Sequence, residues 1–249
     1  MRSPRPASGF TLISMLIGLV IGLLSIAAML VLYQTLISTS HQVNAQARID
    51  GQLATSSLAS QQQLQQAGFG VASAAAGTDL IVLSDAALMG GKLSGTAVTS
   101  YAATVSGNAV IWGYNPTGAS AASDPSAYVC EGLVITGNSA TSSSDLDSTG
   151  LTWLAPVSCG NAAQWQSLTW QAHQLASTRS IGTASNFQLA PATCWPYGQT
   201  TAISSLQVSY YLKAQSTAAA SGVASASTAA SAQFDAIPVF SVCLPNFNL

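Results

Sequence analysis

Apolar residues crowd the start of the chain and then give way to short runs broken by small polar residues. Phe10 to Tyr33 is a stretch of 24 residues in which only Thr11, Ser14 and Ser25 are polar. At 1.5 Å per residue a helix of that length covers about 36 Å, enough for a bilayer core of ~30 Å. Beyond it, Tyr33, Leu36, Ile37, Val43, Ala47, Leu53, Ala54, Leu58, Leu64 and Ala67 fall mostly in steps of three, four and seven. That spacing predicts one continuous helix to about Gln66, with an apolar stripe laid on a globular head. Asp50-Gly51 inside it costs about 1 kcal/mol against good helix formers and is the natural place for a bend. Gly68 is the expected stop. Gly18 and Gly22 form a small-xxx-small pair, which permits close helix approach. Such a pair serves either as an assembly contact or as glycine merely tolerated in an apolar helix.

From Phe69 onward the period changes. Strands are expected at Asp79–Ser84, Ala97–Val105, Ala109–Tyr114, Tyr128–Ile135, Ser205–Leu212 and Ala236–Leu244, with Ser106-Gly107-Asn108 as a turn. The fold class is therefore α+β: a long N-terminal helix packed on a mostly antiparallel β-sheet head. Trp153, Trp165, Trp170 and Trp195 read as core or loop packing rather than a stacking platform for a ligand. Ala214 to Gln233 is nearly all Ala, Ser, Thr and Gly and reads as a flexible surface loop. Asn138–Gly150 contains Asp145 and Asp147 but lacks the other ligands of a calcium loop, so a solvated loop is expected.

Charge narrows the function. Only 6% of the 249 residues are charged, against roughly 25% in an ordinary soluble domain. From Phe69 to the end, Lys92, Arg179 and Lys213 face seven acidic residues, a net charge of −4. A nucleic-acid binder needs a basic face to displace counterions from phosphates, so no nucleic-acid partner is expected. No HExxH, Walker A or GxSxG motif occurs, and His41 and His173 are isolated, so neither an enzyme nor a metal or other cofactor is expected.

The N-terminus sets the compartment. Between Pro6 and Ala47 there is no Asp, Glu, Lys or Arg, and Arg2 and Arg5 precede the apolar run. The positive-inside rule then keeps the N-terminus cytoplasmic and exports everything after Tyr33. A cleaved secretory signal is the alternative. Its apolar core is normally 7–15 residues and an A-x-A-like site follows at once, and neither holds here. Cys130, Cys159, Cys194 and Cys243 agree with export, since an even count in an oxidising compartment reads as two disulfides. Three pairings are possible; the sequential one, Cys130–Cys159 and Cys194–Cys243, closes two separate loops and is the one favoured. Each bond would contribute about 4 kcal/mol on the chain-entropy model.

Ser8-Gly9-Phe10-Thr11-Leu12-Ile13-Ser14-Met15-Leu16-Ile17 resembles the N-terminal motif of type IV prepilins and type II secretion pseudopilins. In that family a short basic leader ends in Gly before Phe-Thr-Leu-Ile-Glu and an apolar helix. The resemblance implies cleavage between Gly9 and Phe10 by a prepilin peptidase, followed by N-methylation of Phe10. Ala47-Arg48-Ile49 through Gln65-Gln66-Ala67-Gly68-Phe69-Gly70 is similar to PilW-type minor pilins, whose long helix ends in a comparable turn. The division implied is a leader at 1–9, a transmembrane half-helix at 10–34, an extracytoplasmic half-helix at 35–68 and a β-rich, pilin-like head at 69–249. One position departs from the family: Ser14 stands where most members carry Glu. In the family that carboxylate is thought to pair with the N-terminal amine of a neighbouring subunit, because an unpaired ammonium in an apolar fibre core is costly. Subunits without it are often those with none above them; the alternative is that a hydroxyl suffices and the position is relaxed.

The expectation is thus a structural minor pilin that primes or caps a type IV pilus, anchored in the bacterial inner membrane before assembly. Its partners would be the prepilin peptidase and other major and minor pilins. A tip pseudopilin of a type II secretion system is the alternative within the class. A membrane-anchored periplasmic protein that never polymerises is the alternative outside it.

Overall fold

The computed structural model describes residues 12–118, 127–136, 150–181, 185–195, 200–211 and 240–248. Gly9 and Phe10, the Ala214–Gln233 stretch and nearly all of Asn138–Gly150 lie outside them. The chain divides into two compact units, Met1–Arg48 and Ile49–Leu249. A single helix, α1 (Leu12–Leu64), is unbroken through Asp50 and Gly51. In the first unit its side chains are exposed from Leu12 to Arg48. In the second unit its last turns lie in the core.

Among the described residues ten strands follow, all antiparallel in their ladders. They are β1 (Leu80–Met89), β2 (Lys92–Ala97), β3 (Val105–Gly107), β4 (Ala109–Tyr114), β5 (Val129–Thr136), β6 (Gly150–Ser158), β7 (Ala172–Ser177), β8 (Asn186–Cys194), β9 (Ile203–Tyr211) and β10 (Phe240–Asn248). One sheet has the order β2-β1-β4-β5-β6-β7 and the other β10-β9-β8-β3. The α+β class holds, with two sheets where a single one was expected. The run Ala-Val-Ile-Trp-Gly-Tyr of β4 is buried at every position, because both faces of the larger sheet are covered. Leu64 and Ala67 join Val82, Trp112, Leu133 and Ile135 of this sheet and Phe187, Val208 and Phe240 of the smaller one in the main core. The opposite face of the larger sheet meets Ala162, Trp165 and Trp170 in a second core. Across the smaller sheet Phe187, Tyr210 and Phe240 occupy one register line. Their rings stand 5.2 Å and 5.3 Å apart, tilted, a favourable cross-strand arrangement.

Several expectations are corrected. Ala97–Val105 is not a strand: β2 ends at Ala97, and residues 98–104 connect it to β3 in the other sheet. Ser106-Gly107 is strand rather than turn, pairing with Gln188 and Phe187. Asn108 is a buried clamp on the β1 bulge. Its side chain accepts from Ala86 N at 2.7 Å and donates to Ala86 O at 2.8 Å and Ile135 O at 3.0 Å. Those bonds replace ladder bonds lost where β1 and β2 shift register between Ser84 and Ala87. Trp165 and Trp170 are buried and Trp153 half-buried, but Trp195 is 69% exposed and belongs to no core.

Candidate assembly helix

The first functional candidate is the apolar part of α1. It is a helix long and apolar enough to cross a membrane, and none of its most apolar window is buried. Backbone groups inside a helix satisfy one another, which is what an apolar medium demands. Two hydroxyls conform: Ser25 donates to Ile21 O at 2.9 Å and Thr35 to Val31 O at 3.0 Å. Ser14 lies exposed in the second half-turn and carries no charge for a neighbouring ammonium. Gly18 and Gly22 sit one turn apart, and a Cβ built on either meets nothing within 4 Å. The bare face they make is free for a close helix neighbour.

In the second unit the helix face that is buried differs from the predicted stripe. Leu53, Ser56, Ser60, Leu64 and Ala67, in steps of three and four, form it, while Ala54 and Leu58 face outward. Two of its contacts are serines, which apolar periodicity overlooks. Ser56 Oγ answers its own burial by donating to Leu53 O at 3.1 Å. Ser60 Oγ is buried without a partner. At the upstream end Ser180 Oγ donates to Gln52 Oε1 at 2.6 Å, tying the helix to α2 (Thr178–Ile181).

The helix exit is tied to β4 through one residue. Gly68 takes φ +71, the left-handed conformation a helix stop needs, and donates to Gly113 O at 2.9 Å. Gly113 N in turn donates to Asp79 O at 2.8 Å, and Asn115 N to Phe69 O at 2.8 Å. A Cβ on Gly113 would fall 1.8 Å from Tyr128 Oη. That phenol donates to Asp79 Oδ1 at 2.6 Å, and Ala75 N donates to Asp79 Oδ2 at 3.0 Å. Burial first, then the Asp79 contact, pushes the Tyr128 phenol up.

Under this seat lies an acid that went unremarked in the sequence. Glu131, on β5, is fully buried and shares its sheet face with Leu133 and Ile135 of the main core. Its Oε1 accepts from Trp153 Nε1. Burial pushes the carboxyl up to about 7, opposed by hydrogen bonds from Trp153 and Tyr114. Tyr114 is itself pushed up to about 12, by burial first and then by the Glu131 charge. The outer side of Trp153 meets the His173 ring at 5.5 Å. The signal available was a single acid inside the apolar run Tyr128–Ile135.

The four cysteines pair sequentially: Cys130 with Cys159 and Cys194 with Cys243, at Cα separations of 5.8 Å and 5.9 Å. The first pins the start of the segment that carries Trp165 and Trp170 over the second core. The second ties the end of β8 to β10. Among the described residues no group of three or more His, Cys, Asp and Glu is placed to hold a metal ion.

Residues 4–30 match the family model described as "Prokaryotic N-terminal methylation motif", a span that includes Gly9, Phe10, Ser14, Gly18 and Gly22. No curated protein and no solved structure matches the chain. The motif implies processing by a prepilin peptidase and assembly with other pilins. Together with the apolar helix it supports a membrane-anchored protein of the type IV pilin or pseudopilin kind.

Proposed function

We propose that this chain is a PilW-like minor pilin that primes or caps assembly of a type IV pilus. Its role is structural, with no bond chemistry of its own. After removal of residues 1–9, the apolar part of α1 holds it in the inner membrane with the head in the periplasm. There it packs against the helices of other major and minor pilins before the set is drawn into a fibre. The observation that carries the proposal is Ser14 within a methylation motif that otherwise conforms. A subunit whose neighbour lacks an amine to neutralise at that level needs no acid there. Such a subunit belongs at an end of the fibre.

Ser14→Glu tests this. Labelled wild-type protein is expected at fibre ends or in initiating complexes, and the Glu variant along the shaft. Unchanged incorporation and location would sink the end-subunit reading. The same Ser14 also suits a tip pseudopilin of a type II secretion system, and co-purification separates the two: secretion components in place of pilus components would move the assignment there.

A further inference from the structure

A groove of 770 Å³ opens between the segment after α1 and the end of the smaller sheet. Its size lies within the range of roughly 300–1,000 Å³ usual for small-molecule sites. Three local irregularities converge on it. Ser73 takes φ +57, a conformation that a residue with a side chain rarely adopts without a reason. The β10 ladder shifts register between Leu244 and Asn248, which turns Asn246 and Phe247 into the groove wall. Ser205 Oγ, within bonding distance of both Leu244 O and Phe247 O, holds that bulge. Residues 99–102 form the opposite wall, where Tyr101 Oη accepts from Val82 N at 3.2 Å.

The polar groups there are largely uncommitted. The hydroxyls of Ser73, Thr99 and Ser100 have no hydrogen-bond partner among the described residues, while Tyr101 Oη is turned inward onto the buried Val82 N. Asn246 Nδ2 donates to Ala67 O at 2.9 Å, which leaves its amide oxygen as an acceptor. The exposed methyls of Ala75 and Ala102 and the half-buried Tyr101 ring supply the apolar surface, and no lining residue is charged. A neutral sugar has that complement: hydroxyls around its rim and an apolar C–H face. Phosphates, carboxylates and ammonium ions would find no countercharge.

We propose that this groove binds a neutral saccharide. The inference rests on the head alone and does not depend on the fibre reading. The test uses the full chain in lauryldimethylamine oxide micelles, a detergent without a sugar headgroup. Maltotriose, cellotriose and triacetylchitotriose are followed by saturation-transfer NMR and calorimetry. At least one is expected to bind in the millimolar range or tighter. Ala75→Trp, at an exposed position on the groove wall, should weaken it tenfold or more with an unchanged circular dichroism spectrum. The paired change Thr99→Val with Ser100→Ala should weaken it several-fold. Absence of transfer to all three sugars overturns the proposal, and so does binding that Ala75→Trp leaves intact. Equal binding of a glucuronate-containing trisaccharide refutes the neutral class, and capture of a Ser/Thr-rich peptide instead of sugar refutes the saccharide.

Discussion

Glu131→Gln isolates the buried carboxyl beneath the helix seat. Glutamine keeps an oxygen for Trp153 Nε1 and removes the ionisation. In the wild-type protein the folded state holds the Glu131 proton up to about pH 7, whereas an unperturbed carboxyl releases it near 4.5. Folding therefore takes up a proton between those values, and stability falls as pH rises through that window. The contribution is fully present below pH 4.5 and gone above 7. With 1.36 kcal/mol per pKa unit, the loss amounts to roughly 3 kcal/mol. The amide's own offset, from donors that lack partners, does not vary with pH. The expected signature is thus a difference, variant minus wild type, that grows by roughly 3 kcal/mol in the variant's favour from about pH 4 to about pH 8. In a domain of some 200 residues, at about 2–4 °C per kcal/mol, that is roughly 6–12 °C of midpoint. Thermal unfolding of the full, oxidised chain in micelles, followed by tryptophan fluorescence, reads it. Parallel pH profiles for the two proteins would refute the reasoning, since Glu131 would then ionise as a solvated acid does.

Two further perturbations probe the head. Gly113→Ala forces a methyl onto Tyr128 Oη, breaking the Tyr128–Asp79 bond beside the helix exit. A loss of about 3 kcal/mol or more is expected, and a melting midpoint within a degree of wild type would contradict the close approach. Replacing Cys194 and Cys243 together by Ala opens a loop of 49 residues and should cost about 4 kcal/mol on the chain-entropy model. Denaturant titration measures it; an unchanged midpoint would mean the bond constrains little in the unfolded chain.

The apolar helix was legible because its signal is local: 24 residues nearly without polar groups admit few other structures. Strands β4 and β5 were equally plain as continuous apolar runs. The strands missed are β2, β3 and β6 to β8; the last three carry Gln, Pro and Ala at partly or fully exposed positions, and pairing rather than composition makes them strands. The turn assigned to Ser106-Gly107-Asn108 failed because those residues serve a crossing between sheets and a bulge, both products of distant contacts. Ser56 and Ser60 were invisible to apolar periodicity because they are polar residues on the buried face of the helix. Glu131 and the groove depend on which strands lie side by side, and spacing along the chain does not carry that information.

The central claim is that a prepilin-type leader is removed and the remaining helix anchors and assembles the protein. Intact mass of the membrane-extracted, unreduced protein, with sequencing of its N-terminal peptide, tests it most directly. The account predicts a chain that begins at Phe10, carries an N-methyl group and weighs four hydrogens less than its reduced form. A chain that still begins at Met1 would contradict it and leave a plain membrane anchor; a start near Ala45 would mean a secreted protein.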